Sequence, residues 1–179
     1  MHTKPILIGI VDDHYLIREG IRETLNNDTA NFQIIVEADN GHSFIEQLKT
    51  LRTLPDVCLL DINMPVMNGY ETLRQLKLHY PFIKALVLTV LSTDYAITKT
   101  IMNGAMGYIT KHCSLKQLAE AIVTVHSGNY YYSSDISQET IKKIRSKLIP
   151  AITDKEMQFL SLCCKDISYK DIAASMNVG

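Results

Sequence analysis

Short apolar runs that alternate with stretches of helical periodicity constrain the fold of this chain more than any other feature. Four of the runs occupy residues 6–11, 57–60, 85–88 and 107–110. Runs of this length, rich in branched side chains, are typical of buried parallel strands. With a further strand at 32–37, strand and helix alternate five times. This order predicts an α/β fold, a doubly wound five-stranded parallel sheet with helices on both faces.

Polar or charged residues stand at or just beyond the ends of the four runs: Asp12, Asp13, Asp61, Thr89 and Lys111. In an open α/β sheet the carboxyl ends of the strands meet at one crevice, where ligands bind. We therefore expect these side chains to converge although they are far apart in sequence. Three carboxylates that lie so close repel one another unless a divalent cation or a proton intervenes, so the pattern favours a cation site.

The composition is that of a chain with a sizeable core and little net charge. Of 179 residues, 46% are hydrophobic, and the formal net charge of −1 gives no general attraction for nucleic acid. No segment has the uninterrupted apolar length of a membrane span or the pattern of a signal peptide. We therefore expect a cytoplasmic protein without a membrane partner. The cysteines form no C-x-x-C pair and the histidines show no ligand spacing. We therefore place His14 and His112 at the surface or the rim of the site, not among its ligands.

The sequence pattern changes after Gly128, which is expected to end the fifth helix. Residues 130–135 show no periodicity and are interpreted as a connector, and residues 138–148 predict a helix that Pro150 ends. Capping patterns then open two further short helices. We therefore predict three parts, listed in order: a domain at 1–128, a linker with a helix at 129–151, and a helical segment at 152–179.

The strand-end residues and their surroundings resemble the receiver domain of two-component response regulators. The resemblance is carried by Val-Asp-Asp-His at 11–14, Leu-Asp-Ile-Asn-Met-Pro-Val-Met-Asn-Gly at 60–69 and Gly-Ala-Met-Gly-Tyr-Ile-Thr-Lys at 104–111. It covers roughly residues 5–128 and implies a flavodoxin-like fold. The Asp-Asp-His and Gly-Tyr-Ile-Thr-Lys strings resemble the NarL/FixJ subclass, in which a LuxR-type helix-turn-helix follows the receiver.

Residues 152–179 resemble the start of that helix-turn-helix module. The chain stops where the recognition helix, which enters the major groove and reads bases, would begin. The resemblance therefore implies an incomplete module, and DNA binding only if the chain continues past Gly179. Either the sequence is a truncated piece of a longer regulator or the output domain is naturally incomplete, and we expect the first.

The resemblance also implies a role for each site residue. Asp61 is the expected phosphoryl acceptor, Lys111 is expected to pair with the phosphoryl group, and Thr89 to hydrogen-bond it. Tyr108 is expected to rotate inward as Thr89 moves, which makes this pair the switch. The expected cofactor is Mg²⁺, bound by three carboxylates and one backbone carbonyl: Asp12, Asp13, Asp61 and Asn63.

The implied function is that of a phosphorylation-switched regulator. A sensor histidine kinase donates the phosphoryl group, and the intact protein controls a DNA-binding transcriptional output; homodimer formation is a further expectation. The chain is expected to catalyse only its own phosphorylation and dephosphorylation. Two alternatives stay open. One is an aspartyl-phosphate hydrolase, although such enzymes usually carry a second acid where this chain has Asn63. The other is an interaction module whose acids only bind a cation.

Overall fold

Six strands and five helices alternate through the first part of the chain, as a computed structural model describes it. The described residues are 4–26, 31–90, 93–133, 136, 139–142, 154–163, 168, 171 and 175–176. Strands β1 to β6 are Ile6–Val11, Phe32–Ala38, Val57–Leu60, Lys84–Thr89, Gly107–Thr110 and Tyr131–Tyr132. Helices α1 to α5 are Tyr15–Asn26, Gly41–Leu48, Gly69–His79, Asp94–Met102 and Leu115–His126.

All neighbouring strands of the sheet run parallel, in the order β2-β1-β3-β4-β5-β6. The predicted doubly wound fold is therefore confirmed, and its first five strands lie where the apolar runs placed them. The reversal of strand order falls between β1 and β3, which is where ligands bind in open α/β sheets.

The sixth strand corrects the interpretation of residues 130–135 as a plain connector. Tyr131 pairs with Gly107, and Tyr132 pairs with Tyr108. The N–H of Tyr131 donates to the carbonyl of Met106, and the N–H of Ser133 donates to the carbonyl of Tyr108, each at 3.1 Å. This short strand covers the edge of β5 that would otherwise expose unpaired backbone groups.

The compact unit that holds the sheet extends from Met1 to Ile141, past the boundary at 128 that the sequence suggests. Ile136, Thr140 and Ile141 are buried within this unit. Burial of these side chains explains why the chain stays with the sheet after β6, since apolar surface removed from water stabilises the packed state.

The core lies on both faces of the sheet because the inner strands are apolar throughout. Every residue of β3 is buried, as are five of the six residues in β1 and in β4. Helix α5 contributes one apolar stripe to this core, made of Leu118, Ala121, Ile122 and Val125. A capping box opens this helix, with Ser114 and Gln117 bonded to each other's backbone N–H.

The second compact unit, Lys142–Gly179, is described only in part. It contains helix α6, Asp154–Cys163. At the predicted start of the next helix, the N–H of Asp171 donates to Ser168 Oγ at 3.3 Å, and Ser168 Oγ–H donates to Asp171 Oδ2 at 2.6 Å. The predicted helix at 138–148 and the second of the two short helices predicted after it lie mostly outside the described residues. Among the helices that are described, none combines the length and apolarity of a membrane span.

Candidate functional site

The carboxyl ends of the central strands bring the predicted site residues together. Beyond each strand the backbone pairing continues by one residue: the N–H of Asp12 donates to Ala38, that of Asp61 to Val11, and that of Lys111 to Thr89. These bonds, of 2.9 to 3.1 Å, fix where each side chain leaves the sheet. The site is therefore built on the strand ends and not on a mobile loop.

One ammonium group bridges the two buried carboxylates of the site. Lys111 Nζ lies 2.6 Å from Asp12 Oδ2 and 2.9 Å from Asp61 Oδ2. The three side chains are almost inaccessible to water, at 7%, 3% and 4% exposure in the order Lys111, Asp12, Asp61. Charges so deeply buried are tolerated only when they are paired and hydrogen-bonded. Asp61 meets the second condition through its other oxygen, Oδ1, which accepts the N–H of Ile62 at 2.7 Å.

The third carboxylate, Asp13, lies at the mouth of the site beside His14. Nδ1 of His14 is 2.9 Å from Asp13 Oδ1 and 3.1 Å from Asp12 Oδ1. The backbone N–H of His14 also donates to Asp12 Oδ1, at 2.9 Å. Asp13 is about one-third exposed and the ring of His14 is 61% exposed. The two residues therefore form the solvent side of a site whose inner side is Lys111 with its two acids.

The donor set fits a divalent cation. Among the described residues, Asp12, Asp13, His14 and Asp61 each offer a ligand atom, and these atoms all lie within 4.8 Å of one another. Carboxylate oxygens are the ligands that hard cations such as Mg²⁺ prefer, and three carboxylates exceed the single charge of Lys111. Asn63, whose carbonyl is a predicted ligand, is exposed two residues beyond Asp61.

The predicted switch residues sit on adjacent strands and are both fully buried. Thr89 ends β4 and Tyr108 lies in β5, each with 0% exposure. The ring of Tyr108 is already inside the protein, which is the position that the resemblance to receiver domains implies for the switched state. Its backbone carbonyl accepts the N–H of Ser133, so the switch strand is joined directly to the segment that follows β6. Whether the ring moves with Thr89 stays a prediction.

The loop after Asp61 returns closely to the site. The N–H of Gly69 donates to the carbonyl of Ile62 at 2.9 Å. A Cβ at Gly69 would lie 2.3 Å from the carbonyl oxygen of Asp61 and 2.7 Å from the Cα of Ile62. Only a residue without a side chain allows this approach, because a Cβ would meet rigid backbone. At the loop tip Val66 has φ 65°, a conformation that is strained for a β-branched residue.

Gly69→Ala is expected to destabilise the chain by about 1–3 kcal/mol, because the loop must move away from Asp61 to admit the methyl group. Gly20→Ala is the matched control. A Cβ at Gly20, within α1, meets nothing within 4 Å, so alanine there should stabilise by roughly 0.5–1 kcal/mol through its helix propensity. Urea unfolding followed by circular dichroism measures both changes. Equal midpoints for the two variants would contradict the close approach.

Reasoning from the sequence places His14 at the surface or the rim of the site, but it does not predict the contacts that His14 and Arg18 make there. Arg18 lies in α1, and its Nη1 donates to the carbonyl of Asp12 at 2.5 Å. His14 contacts both acids that precede it. The sequence signal for the contacts of His14 is its position directly after two acids at a strand end. The spacing between histidines gives no such signal, because the partners of His14 are aspartates.

Comparison with known proteins shows what this chain is similar to. The sequence profile described as the response regulator receiver domain matches residues 8–123. The transcriptional regulatory protein DegU of Brevibacillus brevis is 32% identical over 95% of this chain and 69% of its own length. The response regulator GacA of Pseudomonas aeruginosa is 37% identical over 77% of this chain and 63% of its own length. The response regulator UvrY of Escherichia coli K12 is 29% identical over 97% of this chain and 80% of its own length.

Solved structures of similar fold include the receiver domain of a NarL response regulator from Mycobacterium tuberculosis. It has a TM-score of 0.66 and 25% identity, and the match covers 71% of this chain and all of that one. The RcsB response regulator of Salmonella typhimurium has a TM-score of 0.69 over 99% of this chain and 86% of its own. At 20% identity, RcsB supports the fold alone.

Proposed function

Because the chain belongs to the response regulator receiver family, in its NarL/FixJ type, we propose that Asp61 accepts a phosphoryl group with the help of bound Mg²⁺. The modification then switches a transcriptional output. The observation that carries the proposal is the bridge from Lys111 Nζ to Asp12 and Asp61. It places a fixed positive charge beside the carboxylate that would react, in a site with little water.

The proposed reaction is an in-line phosphoryl transfer to a carboxylate oxygen of Asp61. That oxygen forms a bond to phosphorus, the bond between phosphorus and the donor's leaving atom breaks, and the leaving group takes up a proton from solvent. The product is an acyl phosphate. Catalysis of such transfers depends on positioning and on neutralising charge over the phosphoryl oxygens. Lys111 provides one positive charge for this purpose, and Mg²⁺, when bound, provides two more.

The remaining residues have supporting roles in this proposal. Asp12 and Asp13 hold the cation together with Asp61 and the carbonyl of Asn63. The hydroxyl of Thr89, at the end of the neighbouring strand, hydrogen-bonds a phosphoryl oxygen. A shift of Thr89 changes the packing around Tyr108, whose carbonyl is bonded to Ser133. A change at the site can therefore reach the segment after β6 through one backbone hydrogen bond.

A sensor histidine kinase is the proposed donor, and DNA is the proposed target of the output in a longer chain. The proposal that DNA is the target draws on DegU, the relative named as a transcriptional regulatory protein. The chain itself is proposed to catalyse only its own phosphorylation and dephosphorylation. An exposed Asn63 at the second position after Asp61 supports this view over a hydrolase, which would place a second acid there. Homodimer formation belongs to the same proposal.

The test is treatment of the 179-residue chain with a small phosphodonor such as acetyl phosphate, followed by intact-mass measurement. One phosphoryl group per chain is expected with Mg²⁺, and none after chelation of divalent cations. An unmodified mass both with Mg²⁺ and after chelation would refute the phosphoryl acceptor and favour an interaction module whose acids only bind a cation. Continuous release of phosphate over many turnovers from a phosphate ester would instead indicate a hydrolase.

A further inference from the structure

The imidazole of His14 occupies a position that the proposed Mg²⁺ site does not require. Its Nδ1 is 2.9 Å from an oxygen of Asp13 and 3.1 Å from an oxygen of Asp12. Two ligand atoms at right angles around an ion that is about 2.1 Å from each lie about 3.0 Å apart. The nitrogen is therefore as far from each of the two oxygens as neighbouring ligands of one ion would be, and the ligand atoms of the whole cluster lie within 4.8 Å of one another.

We propose that His14 Nδ1 is a ligand of the cation at this site, which raises its affinity for transition metals such as Co²⁺, Ni²⁺ or Zn²⁺ and leaves its affinity for Mg²⁺ nearly unchanged. The inference rests on the cation role proposed above for Asp12 and Asp13. Neutral imidazole carries its single proton on either nitrogen, so Nδ1 is a lone-pair donor when Nε2 holds the proton. Because the ring is 61% exposed, solvent can hydrogen-bond the Nε2 proton.

The nature of the donor atoms determines which cations gain from His14. Mg²⁺ prefers oxygen ligands and keeps several of its waters, so exchanging one water for an imidazole gains little. Zn²⁺, Ni²⁺ and Co²⁺ accept imidazole readily, and affinities for a mixed nitrogen and oxygen site generally rise along the order Mn²⁺, Co²⁺, Ni²⁺, Cu²⁺. His14 therefore adds affinity for one class of cation without replacing any of the carboxylates that serve the other.

The backbone around His14 holds the three ligand-bearing residues in place. The N–H of His14 donates to Asp12 Oδ1, and Arg18 Nη1 donates to the carbonyl of Asp12. Helix α1 begins directly afterwards, at Tyr15, which limits the directions in which the imidazole can point. The turn that sets the carboxylates thus also sets the backbone position from which the imidazole extends.

The experiment uses the full chain with metal ions alone, at one fixed neutral pH. Co²⁺ and Mg²⁺ affinities are measured by calorimetry for the wild type, His14→Ala and His14→Gln. His79→Ala is the matched control, because His79 is an exposed histidine in the last turn of α3. We expect both His14 variants to bind Co²⁺ about tenfold more weakly, to bind Mg²⁺ within twofold of the wild type, and to fold normally. The control should match the wild type for both ions.

A spectroscopic measurement tests the nitrogen ligand directly. Electron spin echo modulation of bound Mn²⁺ detects a coordinated ¹⁴N nucleus, which we expect in the wild type and not in His14→Ala. Persistence of the signal in His14→Ala, or equal losses of Co²⁺ and Mg²⁺ affinity, would overturn the assignment, since His14 would then only position the acids. Phosphodonor labelling with Mg²⁺ separates the two proposals. If the His14 variants bind Co²⁺ like the wild type and the wild type is labelled normally, only the role of His14 is refuted. If the wild type is not labelled but its ¹⁴N signal depends on His14, only the phosphoryl acceptor is refuted.

Discussion

Asp61→Asn is expected to take up no phosphoryl group from a small phosphodonor in the presence of Mg²⁺. The amide oxygen of asparagine is uncharged and does not form a stable acyl phosphate, so the loss should be complete and not partial. The fold should survive the change. Asparagine has nearly the shape of aspartate, its amide oxygen can still accept the N–H of Ile62, and Lys111 keeps Asp12 as a partner. Intact-mass measurement after acetyl phosphate treatment reads out the labelling.

The matched control for this variant is Asp39→Asn. Asp39 is an exposed acid that directly follows β2, at the same carboxyl end of the strands as Asp61. This variant therefore makes the same chemical change outside the site. It should be labelled to the same extent as the wild type, and circular dichroism should show both variants folded. Full labelling of Asp61→Asn, or its labelling at another carboxylate with wild-type yield, would refute Asp61 as the acceptor.

The gathering of Asp12, Asp61 and Lys111 could be predicted from the sequence because of a property of parallel sheets. Strands that are buried on both faces appear as plain apolar runs, and all of them point the same way. The residues that directly follow these runs must therefore lie together at the carboxyl end of the sheet, whatever the path of the helices between them. The contacts of Lys111 with both acids follow from this rule together with the length of the lysine side chain.

Strand β6 could not be predicted in this way. Tyr131 and Tyr132 are only half-buried, and two residues are too few to show an alternating pattern. The strand forms because β5 offers backbone groups at its edge, and the N–H groups of Tyr131 and Ser133 donate to the carbonyls of Met106 and Tyr108. These partners lie far from β6 in sequence, and local periodicity does not detect them.

The contacts of His14 and Arg18 were missed for a different reason. Helical periodicity assigns a side chain to a face of its helix, but the first turn of a helix also meets the strand end before it. Arg18 is long enough to reach back to the carbonyl of Asp12, and His14 precedes α1 altogether. Such contacts depend on the turn between β1 and α1, whose conformation is set by the hydrogen bond from the His14 N–H to Asp12.

Lys111→Met is expected to destabilise the folded chain by about 2–4 kcal/mol when divalent cations are chelated. Methionine retains most of the apolar stem of lysine, so packing is largely preserved and the change removes mainly the charge. The carboxylates of Asp12 and Asp61, 3% and 4% exposed, then face each other without an ammonium between them. Urea unfolding in EDTA, compared at equal m-value, measures the loss.

Two variants show whether the loss comes from the buried charges. Lys116→Met removes an exposed lysine from the first turn of α5 and should shift the free energy of unfolding by less than about 0.5 kcal/mol. In the Asp61→Asn background, Lys111→Met should cost clearly less than in the wild type, because only one buried carboxylate is then left unpaired. Equal costs in both backgrounds would mean that Lys111 stabilises the fold through its stem and not through its charge.

Added Mg²⁺ should narrow the gap between Lys111→Met and the wild type. A cation that binds only the folded state stabilises it in proportion to RT ln(1 + [L]/Kd). Without Lys111 the site carries three carboxylates and no fixed positive charge, so its affinity for Mg²⁺ should rise and the gain at a given concentration should exceed that of the wild type. If saturating Mg²⁺ left the gap unchanged, the cation would not share its site with Lys111, and the acids would have to be assigned another partner.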